Sequence, residues 1–196
     1  MVAGETLPAV DDADIIAESL EHPERFSALF DRHAGTIYRY VSLRLGPEIA
    51  EDLVGDTFLI AFRRRGSYDA DFRDARPWLL GIATRLITRH RRREVGRYRA
   101  LERRAADAQV EGPEETITRN LAAASSRAAL LRALSRLSRG DRDVLLLVAW
   151  SDMTYEQAAH ALGIPVGTVK SRLNRARRKV REALGGINPL QEDSDG

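Results

Sequence analysis

The stretch from Thr154 to Leu184, TYEQAAHALGIPVGTVKSRLNRARRKVREAL, constrains this chain more than any other. Thr154 followed three places on by Gln157 fits a capping box, so a helix is expected to start near Tyr155. Ala158, Ala159 and Leu162 place small and apolar side chains on one face of it. Gly163 is the residue type that tolerates a left-handed conformation just past a helix end, and Pro165 prevents the first helix from continuing. Beyond Gly167, Val169, Leu173, Ala176, Val180 and Leu184 recur at four, three, four and four, an apolar stripe of helical period. The faces between hold Lys170, Ser171, Arg172, Asn174, Arg175, Arg178 and Arg181, with no Asp or Glu from Gln157 to Arg181. Phosphates meet no local repulsion on such a surface. A basic run alone is most simply a solvated face of a bundle. A small-residue helix, a glycine turn and a basic helix in that order instead read as a helix-turn-helix that presents its second helix to the DNA major groove.

The rest of the chain has to support that element. Net charge is only +2 over 196 residues, but acids crowd the start and the middle while arginines fall in two blocks. The chain has no cysteine, which excludes disulfides, thiolate metal sites and a cysteine redox switch. No apolar run approaches membrane-spanning length, and MVAGETLPAVDDADI is acidic where a signal peptide needs a basic start, so a cytoplasmic protein without membrane insertion is expected. Alternating β-branched runs are missing and apolar clusters repeat at three and four, which predicts an all-α fold.

Residues 1–22 read as an acidic N-terminal tail in which Ile15, Ile16 and Leu20 can form a short helix, the acids serving solubility. Phe26, Leu29, Phe30, His33, Ile37, Tyr40, Val41 and Leu45 then follow a helical period, with His33 read as a packed core residue, and Gly46-Pro47 breaks the chain. A second helix, roughly Glu48 to Arg65, turns Ile49, Leu53, Phe58, Ala61 and Phe62 inward and projects Glu51, Asp52, Asp56 and Leu59 from other faces. Gly55 inside it implies either close approach of another backbone or simple tolerance. In the following loop Tyr68, Phe72 and Trp78 interleave with Arg73 and Arg76, a pattern that suits stacked bases and equally suits a plug at the end of a bundle. Pro77 opens a third helix with Trp78, Ile82, Ala83, Leu86 and Ile87 toward the core, and its continuation, Arg85 to Arg104, carries nine arginines against two glutamates. Residues 105–125 read as a flexible linker made acidic by Asp107, Glu111, Glu114 and Glu115. Ala128, Leu131, Leu134 and Leu137 make an amphipathic helix ended by Gly140, and Asp141 is expected to cap another through Val144, Leu145, Val148 and Ala149. The plan is a helical bundle over 23–104 and a four-helix domain over 126–185, followed by a polar tail over 186–196.

With both basic blocks in view, AEDLVGDTFLIAF, WLLGIATRLITRHRRR and GIPVGTVKSRLNRAR, in that order and spacing, resemble a bacterial RNA polymerase sigma factor of the sigma-70 family, extracytoplasmic-function (ECF) type, over roughly Phe26 to Leu184. The resemblance implies that the first bundle is region 2, which docks on the β′ clamp helices of core polymerase and holds the −10 element. It implies that the last domain is region 4, which binds the −35 element and the β flap. By position, Asp52, Leu53, Asp56, Thr57 and Leu59 would face the clamp. Arg73, Asp74, Arg76, Trp78, Arg85, Thr88, Arg89 and Arg92 would fall at the −10 element. Lys170, Ser171, Arg172, Asn174 and Arg175 would enter the −35 major groove, with Arg178 and Arg181 further along on phosphates. Gly55 stands where many members have Gln and Arg85 where many have Asn, so one clamp contact and the −10 base preference are expected to differ. An anti-sigma protein covering the polymerase- and DNA-binding faces is a further implied partner.

A stand-alone helix-turn-helix regulator, whose first half senses a ligand or dimerises, is the competing reading. An enzyme acting on nucleic acid is disfavoured, because there is no spaced carboxylate set, glycine-rich phosphate loop or His/Cys metal cluster, and neither cofactor nor metal is expected.

Overall fold

The computed structural model describes residues 11–105, 129–130 and 132–184, with the side chains of the long basic helix described as far as Glu94. The linker expected over 105–125 lies outside the described residues from 106 onward, as do Ala128, Leu131 and the tail over 186–196. All regular elements among the described residues are helical, and none is long and apolar enough to cross a membrane. The chain divides into two compact units that part between Arg93 and Glu94.

In the N-terminal unit, α1 spans Asp12–Glu21, α2 Ser27–Leu45, α3 Pro47–Arg64 and α4 Arg76–Ala105, with 3-10 turns at Pro23–Phe26 and Arg65–Ser67. Leu29, Ile37, Tyr40 and Val41 of α2 are fully buried, as the period requires, and each such side chain contributes about 1.5–3 kcal/mol. Phe30 departs from the expectation. One step round the helix from Leu29, it is 45% exposed and lies edge-on against Phe58 at a centroid distance of 4.9 Å. Gly46 ends α2 at φ +87°, a left-handed value that suits glycine, and Pro47 opens α3 at its first turn, so α2 and α3 fold back on each other. Leu53, Val54, Phe58 and Ala61 of α3 face inward. Among the described residues nothing lies within 4 Å of where a Cβ on Gly55 would sit, so none of their backbones requires that glycine.

α4 buries Leu79, Ile82, Ala83, Leu86 and Ile87. It is also stitched to α2 by a polar chain: Thr84 Oγ1 donates to the Leu80 carbonyl at 2.8 Å, so Tyr40 must donate to Thr84, 2.8 Å away, while Arg44 Nη1 donates to the Tyr40 oxygen at 2.8 Å. A buried hydrogen-bonded chain of this kind favours one helix register.

The acidic lead is not merely a solvated tail, which corrects the boundary at residue 22. Asp11 caps α1 by accepting from Asp14 N–H at 3.0 Å, and Ile15 and Ile16 are buried. Asp12, 4% exposed, accepts from His33 Nε2 and from Arg32 Nη1, each at 2.6 Å, and from Ala75 N–H at 2.8 Å. His33 is therefore a core residue with a specific partner. Burial alone would raise the Asp12 carboxyl, but the His33 and Ala75 hydrogen bonds, the attraction of His33 and the Arg32 bond outweigh it and hold the group at about 2, against an ordinary 3.8. A carboxyl depressed on folding stabilises the native state above its unfolded value, and that contribution is lost as pH falls toward the folded one. Denaturant titrations should show the unfolding free energy dropping by about 2 kcal/mol more between pH 4 and pH 2 in the wild type than in Asp12→Asn.

The C-terminal unit contains helical residues 132–135, then α5 (Arg139–Leu145) running into a π-helical turn (Leu146–Trp150), α6 (Tyr155–Leu162) and α7 (Val166–Ala183). Two expectations need correction here. The cap of α5 is Ser138, whose hydroxyl accepts from Asp141 N–H at 3.2 Å, and Gly140 lies inside the helix it was expected to precede. The π turn, closed by Ser151 N–H on the Leu146 carbonyl at 3.1 Å, rotates the apolar stripe, so Leu146 and Leu147 point inward while Val148 and Ala149 are only half-buried. Arg142 donates to the carbonyls of Leu134, Ser135 and Leu137 at 2.7, 2.9 and 3.1 Å, and so satisfies the open end of the preceding helical turn.

Candidate nucleic-acid interface

The helix-turn-helix forms as its local chemistry requires. Gln157 N–H donates to Thr154 Oγ1 at 3.2 Å and Thr154 N–H to Gln157 Oε1 at 2.9 Å, a reciprocal capping box. Gly163 turns the chain at φ +64° and Pro165, extended at ψ 146°, caps α7. Val169, Leu173, Ala176 and Val180 are buried, which forces the basic faces outward.

Lys170, Ser171, Asn174 and Arg178 are exposed on that outer surface. The Ser171 hydroxyl donates to the Thr168 carbonyl at 3.1 Å, and Arg178 lies 3.8 Å from Glu182, an exposed i,i+4 pair of small value. Arg172 and Arg175 are less free. Arg172 lies across Gly140, where an added Cβ would meet its Nη1 at 2.7 Å. Arg175 donates through Nε to both oxygens of Asp141, each at 3.1 Å, and that carboxylate is only 3% exposed. Asp141 thus acts as a buried support beneath the outer helix, a role that its expected place as a cap concealed. No local pattern marks it, because the partner is 34 residues away.

In the N-terminal unit, Arg85, Thr88, Arg89 and Arg92 recur at three, one and three along α4 and share one face, with all three arginines exposed. Partial burial, and then the like charge of Arg64, lower Arg85 below the usual guanidinium value. Gathered like charges of this kind are relieved by an approaching phosphate. Arg64, at the end of α3, is an addition to this surface that the linear pattern did not single out.

The loop before α4 is ordered by its own contacts. Tyr68 packs edge-on against Trp78 at 5.0 Å and donates to the Phe72 carbonyl at 2.5 Å. Burial, followed by the carboxylates of Asp12, Asp74, Asp11 and Asp69, raises the phenol and keeps it a donor. Asp74 accepts from Arg76 N–H at 2.9 Å and pairs with its guanidinium, Nη2 to Oδ2 at 2.7 Å, so it ties off the first turn of α4. Arg73 is strongly exposed and paired with Asp11 at 2.9 Å. Trp78, expected inside, is half-buried.

The residues matched to the polymerase clamp separate by face. Asp52, Asp56 and Leu59, spaced four and three, are exposed together on α3, with Leu59 at 46%. Leu53 and Thr57 are buried instead: Leu53 is part of the core, and Thr57 donates its hydroxyl to the Leu53 carbonyl at 2.6 Å. The run DLVGDTFL covers more than one helical face, so its members do not all meet one surface.

An outward basic face on a helix-turn-helix in one unit, and an arginine face beside an ordered loop in the other, are two surfaces of the kind that suit nucleic acid. Residues 29–97 match the family described as Sigma-70 region 2, and residues 127–180 match Sigma-70, region 4. The chain is 35% identical over 159 residues to the ECF RNA polymerase sigma factor SigL of Mycobacterium tuberculosis, covering 80% of this chain and 87% of that protein. It is 32% identical over 164 residues to the ECF RNA polymerase sigma factor BldN of Streptomyces coelicolor, covering 82% of this chain and 61% of BldN. Among solved structures it is similar to CnrH in complex with the cytosolic domain of CnrY, with a TM-score of 0.64 and 26% identity over 89% of this chain and 97% of that one. The chain belongs to the ECF-type RNA polymerase sigma factors. As a sigma factor it lends promoter specificity to core polymerase, and the match to region 2 as well as region 4 sets aside the stand-alone regulator.

Proposed function

We propose that the two surfaces divide promoter recognition residue by residue. Asn174 and Lys170 read base edges of the −35 element, Arg172 and Arg175 contribute from positions fixed by Gly140 and Asp141, and Arg178 and Arg181 hold phosphates. Arg73, Arg76 and Trp78 of the loop meet the −10 element, with Arg85, Thr88, Arg89 and Arg92 tracking its backbone. Asp74 acts on that element through Arg76. Asp52, Asp56 and Leu59 dock on the β′ clamp, an acidic and apolar patch that a basic partner surface complements. The single observation that carries this reading is the basic outer face of α7, held outward by its buried stripe of Val169, Leu173, Ala176 and Val180.

The protein acts in the cytoplasm, where the polymerase is, and performs no chemistry itself. An anti-sigma protein that covers these faces is a further partner; the complex of CnrH with the cytosolic domain of CnrY supports a protein ligand for this fold.

Asn174→Ala should lower transcription from −35-dependent promoters about tenfold, within the 1–3 kcal/mol that a base-edge contact discriminates, without changing affinity for core. Arg178→Ala should weaken all −35 sequences alike. In vitro transcription on −35 variants distinguishes the two; a uniform loss in Asn174→Ala contradicts its assignment to a base.

A further inference from the structure

We propose that α1 is a positioning element for the −10 loop: Asp12 anchors the loop and Asp11 holds its arginine, so these two carboxylates set base discrimination at the −10 element through the loop they hold. This rests on the reading above in which residues 73–78 meet that element.

Three tethers run from the start of α1 to the loop. Asp12 N–H donates to the Arg73 carbonyl at 3.1 Å, Ala75 N–H donates to Asp12 Oδ2 at 2.8 Å, and Arg73 Nη1 donates to Asp11 Oδ2 at 2.9 Å. The tethers bracket Asp74 and end one residue before Arg76 opens α4. Asp12 is itself held from α2 by Arg32 and His33, each at 2.6 Å; because a carboxylate only accepts, Nε2 is the protonated nitrogen of His33 in this bond. Asp12 is 4% exposed and Ala75 fully buried, so neither can meet a base. Their effect is exerted through the backbone that carries Arg73 and Arg76.

Asp12, His33 and Asp74 also offer ligand atoms within 4.8 Å of one another, the spacing of a cation site. The two oxygens of Asp12 already accept from three donors, one of them a guanidinium, which makes the cluster a hydrogen-bonded hub. The hub joins α1, α2 and the loop at one buried atom pair, and it bears on specificity more than on affinity. Base reading needs side chains held within about 0.5 Å, whereas phosphate contacts from Arg85, Arg89 and Arg92 on α4 tolerate a loosened loop.

The test uses holoenzymes reconstituted with the full-length wild type, Asp12→Asn, Asp11→Asn and Arg76→Ala, transcribing a promoter library randomised at both elements, with the transcripts sequenced. Asp12→Asn should reduce the enrichment of preferred −10 sequences about tenfold while leaving −35 enrichment and core affinity unchanged. Asp11→Asn retains a good helix cap and removes the charge, so it should reduce −10 enrichment about threefold, and it decides the matter if Asp12→Asn does not fold. A merely structural role would lower output on all promoters and leave the −10 enrichment ratio at its wild-type value, which overturns the proposal. If Arg76→Ala alters −10 enrichment and neither aspartate variant does, the brace alone is wrong. If Arg76→Ala also leaves −10 enrichment unchanged, the assignment of the loop to the −10 element fails, and the brace with it.

Discussion

Asp56→Arg should separate this sigma factor from core polymerase while leaving it folded. Asp56 is exposed on α3, between Asp52 and Leu59 on the same face, so the substitution creates no cavity and orphans no buried group. Surface changes of that kind ordinarily stay within about 0.5 kcal/mol of stability. At an interface the same change replaces an attraction with a like-charge contact, which costs several kcal/mol, so affinity for core should fall by at least about 100-fold. Gel-filtration co-elution and calorimetric titration against core polymerase measure it, with circular dichroism reporting the fold. Thr57→Arg makes a useful contrast: because Thr57 is fully buried, it should unfold the unit instead of selectively removing a contact. Undiminished co-elution of Asp56→Arg would remove α3 from the clamp interface.

Promoter binding by the holoenzyme should depend steeply on salt. Exposed cations lie on both proposed DNA faces: Arg85, Arg89 and Arg92 on α4, and Lys170, Arg178 and Arg181 on α7. Each phosphate contact releases a counterion and adds about −0.9 to the slope of log affinity against log salt. Six such contacts amount to a slope of about −5, which is a loss of about 10³-fold between 50 and 200 mM. Arg178→Ala should flatten the line by about 0.9 while Asn174→Ala, a neutral replacement, should shift it without changing its slope. Fluorescence anisotropy of labelled promoter DNA across a salt series resolves the difference, and a flat response would mean that these cations do not meet phosphate.

The helix-turn-helix was legible in the sequence because each of its signals is local. Thr154 and Gln157, Gly163 and Pro165, and the stripe from Val169 to Val180 all act within one or two turns of the chain. The same holds for the Gly46-Pro47 break and the all-α class. What could not be read depends on distant partners. Asp12 finds His33 across 21 residues and Ala75 across 63, and no periodicity announces either. An acidic lead therefore read as a solvated tail, and His33 as an ordinary core side chain. The inward turn of Leu53 and Thr57 was obscured differently: a family motif is continuous in sequence, whereas a helix distributes its members around an axis. The π turn at Leu146–Trp150 defeats a count of three and four because it inserts a residue into the count.

The carboxylate beneath α7 has a consequence for how this factor can change its target. Exchanging residue 175 alone takes from the buried Asp141 carboxylate the half-exposed guanidinium that donates to both its oxygens at 3.1 Å. On the proposed −35 assignment, a lineage drifting toward a different upstream sequence alters positions 141 and 175 together, or keeps that pair and retunes through Lys170 and Asn174, which are exposed and bond to no buried carboxylate among the described residues.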